Sequence, residues 1–206
     1  MTTPRDLIIT ALERAAAAQP AVEPGDLSLA LAAAEAVDLL AAGAVALEGG
    51  RLVPDGHPEI ADPLLAEAAA SLVRGAPYEA PGDWLWRRGR GLADAYLTGL
   101  AAKGQVVRER HRNWLVRDTR TVLTDSRARR RAAARMAADE PVLAALTTTL
   151  GLRRGSAADA APAVSDASAA RVLAALDDAL AELASERRRR SRRQADAAAE
   201  NVRRGY

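Results

Sequence analysis

The chain has no cysteine and no phenylalanine, only two histidines, and one lysine, Lys103. Without thiols there are no disulfides, no thiolate metal sites and no thiol nucleophiles. His57 and His111 each stand alone among polar or turn residues, which argues against zinc sites and imidazole-based catalysis. Aromatic residues make up 3% of the 206, and about a quarter of the chain is alanine. The 49% hydrophobic content therefore overstates the core, which should be thin and leucine-dominated. No phosphate-binding glycine loop with lysine and no nucleophile elbow occurs. The paired carboxylates Asp177 and Asp178 are flanked by alanine, as on an exposed helix face. These absences point to a protein that is not an enzyme and needs no cofactor.

The opening Met1-Thr-Thr-Pro-Arg-Asp runs straight into an amphipathic stretch without the order of a secretory signal, so a cytoplasmic location is expected. Leu27 to Leu47 is the only run resembling a membrane span. It carries Glu35 and Asp38 in its middle, and reads as a buried core helix.

Charge is abundant and segregated. Residues 1–73 carry a net −8, residues 74–135 a net +9, residues 136–185 a net −4 and residues 186–206 a net +5, within a total of +2. Nearly every cation is arginine, whose planar fork suits phosphate and carboxylate.

The pattern of turns and apolar positions predicts a mainly α, single-domain, bundle-like fold over 1–185, with two small β-hairpins and a basic extension at 186–206. Thr3-Pro4-Arg5-Asp6 should start a helix running to about Ala18, with Thr3 as cap. A second, Ala/Leu-rich helix should extend to Ala42 and end at Gly43, before a hairpin turning at Gly49-Gly50. Asp62-Pro63 should open a third helix, and a long helix is expected from about Trp84 to Lys103. A second hairpin should pair Gln105–Glu109 with Asn113–Arg117, placing Arg110, His111 and Arg112 near its tip. Thr124 or Asp125 should cap an arginine-studded helix to about Ala138. Asp139 with Pro141 should begin the next, ending near Gly151. After a loose connection at 153–168, Ser165 or Asp166 should open a last helix whose stripe of Val172, Leu173, Leu176, Leu180 and Leu183 is buried. Residues 186–206 read either as a solvated helical extension or as a disordered tail.

Several short stretches carry a resemblance. They are Leu7-Ile-Ile-Thr-Ala-Leu, Leu39-Leu-Ala-Ala-Gly-Ala-Val-Ala-Leu, Asp62-Pro-Leu-Leu-Ala-Glu-Ala, Leu100-Ala-Ala-Lys-Gly-Gln-Val, Trp114-Leu-Val-Arg-Asp and Val122-Leu-Thr. In this order over residues 5–185, the chain resembles the Golgi phosphoprotein 3 family in its actinobacterial form. The resemblance implies a helical peripheral membrane adaptor that, in eukaryotic members, recognises phosphatidylinositol 4-phosphate. Of the family's head-group residues, Arg90 matches the first arginine of a pair. Ala93 stands at the second, Ala32 near the second-helix arginine and Glu23 near the tryptophan. The family hairpin used for self-association and membrane deformation would fall at about 106–118, implying a homo-oligomer contact there.

Two candidate surfaces follow. For anionic head groups they are Arg87, Arg88 and Arg90 with Trp84 and Trp86 at the interface. For the hairpin they are Arg108, Arg110, Arg112 and Trp114. The expected partner is an anionic phospholipid membrane on the cytoplasmic side, or an acidic protein. Read plainly, Arg90 would instead pair with Asp94, and Trp114 would be a core residue of its hairpin. Nucleic acid is the rival partner. Helix, helix and basic hairpin also make a winged-helix order, and Arg127–Arg131 and Arg187–Arg193 could neutralise phosphates.

Overall fold

The computed structural model describes residues 2–17, 21–113, 116–124, 126–153 and 162–205. Among them it contains eight helices and two separate antiparallel hairpins, a mainly α fold. Helices α1 (Thr3–Ala16) and α2 (Pro24–Ala41) precede the hairpin β1 (Val45–Glu48) and β2 (Arg51–Pro54). Next come α3 (Pro63–Ala70), α4 (Pro81–Arg88) and α5 (Leu92–Ala102), then the hairpin β3 (Val106–Asn113) and β4 (Val116–Leu123). The chain ends with α6 (Ser126–Ala137), α7 (Pro141–Thr149) and α8 (Ala167–Arg203).

α2 is the axis of the molecule. From Ser28 to Val37 every residue is buried, and α1, α3, α4, α5, α7 and α8 all pack on it. Alanine makes this possible. Ala30, Ala32, Ala33, Ala34 and Ala36 present so little bulk that helices can approach from all sides, while Leu29, Leu31 and Leu39 fill the gaps between them. α8 runs antiparallel to α2. Ala169 lies with Val37 and Leu40 at one end, and Leu183 and Arg187 lie against Gly25 at the other.

Two expected boundaries change. The helix expected over 84–103 is two helices, because Gly91 takes a left-handed conformation (φ +68°) that starts α5 afresh. The second hairpin is longer than expected. Val106 pairs with Leu123 and Asn113 with Val116, so Arg110, His111 and Arg112 belong to β3, opposite Thr119, Asp118 and Arg117. Trp114 lies outside the described residues. Of the two readings of the basic end, the helical extension is the one formed, since α8 continues without a break from Ala167 to Arg203 and is exposed from Arg188 onward.

Capping also departs from local expectation. Thr3 does not cap α1; its own N–H donates to Asp38 Oδ2 at 2.8 Å, so a side chain from α2 closes that helix end. Asp62 caps α3 as expected, accepting from Leu64 and Leu65 N–H, and also pairs with Arg5. Glu140, the residue after Asp139, caps α7 by accepting from Val142 and Leu143 N–H.

Candidate functional site

The arginines of α4 serve the interior. Arg88 donates through Nε to Glu35 Oε2 at 2.7 Å and through Nη2 to Glu35 Oε1 at 3.1 Å. Its Nη1 donates to Glu67 Oε1 at 2.7 Å, and Nη2 also reaches the Leu64 carbonyl at 3.1 Å. Tyr96 Oη donates to Glu35 Oε1 at 2.9 Å. One guanidinium thus ties α2 and α3 to α4, and Tyr96 brings in α5. Burial pushes the Glu35 carboxyl above its ordinary range, against the pull of Arg88 and Tyr96. Burial opposes the Arg88 charge as well, but Glu35 and Glu67 outweigh it and hold the guanidinium charged.

Arg87 is spent in another way. Its Nε and Nη2 each donate to the Glu79 carboxylate at 2.7 Å, Nη2 also reaches the Ser71 carbonyl, and the guanidinium lies 5.2 Å from the centre of the Trp84 ring. Glu79 is held in place by its own backbone, whose carbonyl accepts from Leu52 N–H of β2 at 2.8 Å.

Trp84 is fully buried, and its indole N–H donates to the Ala32 carbonyl at 3.1 Å. It is a core residue and not the interfacial side chain its neighbourhood suggested, because the thin core has few large groups to fill it. Trp86 is half-buried against the same core. Of the five candidates on and beside α4, only Arg90 remains an exposed cation without an ion pair. Asp94, one turn on and also exposed, does not pair with it.

Tertiary structure places Arg90 beside residues distant in sequence. Gly89 packs so closely on the second turn of α2 that a Cβ there would lie 3.3 Å from Leu29 Cδ2 and 3.4 Å from the Ser28 carbonyl oxygen. Ser28 Oγ accepts from Ala93 N–H at 3.1 Å, holding the start of α5 at the same place. Arg187 arrives from α8, donating to Asp26 Oδ1 at 2.7 Å and Oδ2 at 2.9 Å. Glu23, at the N-cap position, makes no side-chain cap, but Asp26 stands in the first turn of the 18-residue α2, and Leu183 and Arg187 of α8 lie against Gly25. This end of the bundle brings the start of α2 together with the half-exposed Arg187, and the segment of α4 that leads to the unpaired Arg90 packs one turn further along α2. Arg187 was hidden in sequence within a charge run. Its only signal was its place one turn beyond Leu183, on the buried stripe of α8.

Two arginines of α6 hold carboxylates: Arg129 pairs with Glu13 at 2.8 Å, and Arg135 with Asp6 at 2.6 Å and Glu140 at 2.9 Å. Arg108, Arg110 and Arg112 occupy alternate positions of β3.

Among the described residues no cluster of three or more His, Asp or Glu could hold a metal ion, and no helix is long and apolar enough to cross a membrane. A helical bundle built on an alanine-rich axis, with α2 at its centre, defines a mainly α protein. The Golgi phosphoprotein 3 (GPP34) family model matches residues 4–205, and the chain belongs to that family. No curated protein matches it. Two positions where the resemblance puts head-group arginines, Ala32 and Ala93, are buried, and Glu23 is exposed.

Proposed function

We propose that this protein is a non-enzymatic adaptor that docks peripherally on anionic phospholipid head groups through the end of the bundle where α2 begins. The observation that carries this reading is Arg90, an exposed guanidinium with no ion pair, on a segment that packs on α2 through Gly89. An arginine close to an anionic leaflet adds on the order of 1 kcal/mol to binding. Family membership supports the same class of partner.

Only one of the four family head-group features is kept, so recognition follows charge and not the inositol ring. Co-sedimentation with vesicles tests this. The protein should sediment with phosphatidylcholine vesicles containing phosphatidylglycerol and stay in solution with phosphatidylcholine alone. Arg90→Glu should weaken binding about fivefold or more at low salt. A phosphoinositide should give no advantage over phosphatidylglycerol at equal vesicle charge. Retention on duplex DNA of equal charge, with no vesicle binding, would replace this reading with the nucleic-acid one.

A further inference from the structure

The second half of α8 has no place in the bundle. Ala169, Val172, Leu176 and Ala179 are buried, Leu180, Leu183 and Arg187 are half-buried, and every residue from Arg188 to Gly205 is exposed. Because α8 is antiparallel to α2 and passes its N-terminus at Arg187, these turns continue past the end of the body that carries Arg90. Residues 188–205 hold seven arginines against Asp196 and Glu200.

Those arginines divide into two sets. Arg189, Arg190 and Arg193 fold back onto Glu186 at 2.9, 2.9 and 3.3 Å, and Arg204 pairs with Glu200. Arg188, Arg192 and Arg203 make no ion pair among the described residues. At about 100° per residue these three lie within about 60° of one another, with Ala195 and Ala199 between them. They form one cationic stripe about 22 Å long, at 1.5 Å per residue, flanked by Asp196, which lies one turn beyond Arg192 and about 40° from it.

We infer that this stripe is a second anion-docking element, which lays the projecting half of α8 flat along a phospholipid head-group surface; the inference rests on the membrane reading above. A single stripe meets a plane. Among the described residues of the arm Val202 is the one apolar side chain larger than alanine, too little to insert a helix, so the arm is held chiefly by charge. Readout of a nucleic-acid groove fits less well. Gln194 and Asn201, the amides suited to base edges, lie about 150° or more from the stripe, on the opposite side of the helix.

The full-length chain is tested by co-sedimentation with the same two vesicle compositions at low and high salt. The variant R188Q/R192Q/R203Q removes the stripe. The variant R189Q/R190Q/R193Q removes an equal charge from the paired set. Both use helix-compatible glutamine, and circular dichroism checks that the helix persists. The stripe variant should lose at least about tenfold in binding to phosphatidylglycerol-containing vesicles, with a shallower salt dependence. The control should lose clearly less.

Equal losses in the two variants would overturn the inference by reducing the arm to net charge. A stripe variant that binds like the wild type would overturn it too. If Arg90→Glu alone loses binding, the membrane reading stands without the arm. If the unmodified chain sediments with neither vesicle, both fall. Loss of duplex DNA retention by the stripe variant, with vesicle binding intact, would assign the arm to nucleic acid instead.

Discussion

Neighbouring arginines on one helix do different work. Arg88 has a side chain 10% exposed and bonds a fully buried carboxylate, whereas Arg87, with a side chain 39% exposed, holds a Glu79 side chain that is 11% exposed. Arg88→Ala strands the Glu35 carboxyl in the core with only the Tyr96 hydroxyl and should cost about 3 kcal/mol or more. Arg87→Ala breaks a bidentate pair that is open to solvent on one side and should cost less, about 1–2 kcal/mol. Urea denaturation of the two variants measures both, and equal losses would contradict this division. Burial raises the carboxyl of Asp38 above its ordinary range, although it accepts from Thr3 N–H. Nothing in the spacing of Thr3-Pro4-Arg5-Asp6 points to Asp38, 35 residues away in the chain, and the local capping pattern reads Thr3 and Asp6 as partners. In the structure Asp6 holds Arg135 instead. Side-chain oxygens close to a helix end are legible in sequence only when the partner is also local, as for Asp62 and Asp166.

The order of helices and hairpins follows from punctuation: Gly43, Gly49-Gly50, Pro63, Gly104 and Pro141 each mark a boundary where one was expected. The break between α4 and α5 was missed because the apolar positions stay in helical phase across Gly89-Arg90-Gly91. Periodicity reports which face is apolar, and it is silent about one glycine with positive φ. That glycine directly follows Arg90, the exposed cation without an ion pair, and starts α5. Gly91→Ala should destabilise the fold by about 1 kcal/mol, because a Cβ is strained at φ +68°. Gly82→Ala, in the first turn of α4 with no atom within 4 Å of the new Cβ, should be neutral or slightly stabilising. Comparison of denaturation midpoints checks the pair, and a neutral Gly91→Ala would mean that the break is not held by its glycine.

For the molecule as a whole, the consequence of the continuous α8 is shape. A compact domain of 206 residues has a radius of gyration near 17 Å, from about 2.2 Å times the 0.38 power of chain length. A helix whose last turns stand clear of the body should raise the value measured by small-angle X-ray scattering above that. A value at or below about 17 Å would mean that these turns fold back.

The sequence by itself determined the fold class, the two hairpins, the buried role of the Ala/Leu helix and the separation of acidic from basic segments. All of these are set by periodicity, turn chemistry and composition over short spans. Only the tertiary structure decided which arginines are free. A guanidinium is neutralised by whatever carboxylate packing brings within about 3 Å. Glu35 is 53 residues from Arg88, and Asp26 is 161 from Arg187. Linear charge blocks cannot record such pairings, so packing alone separates Arg87, Arg88, Arg129 and Arg135, which hold carboxylates, from Arg90, which does not.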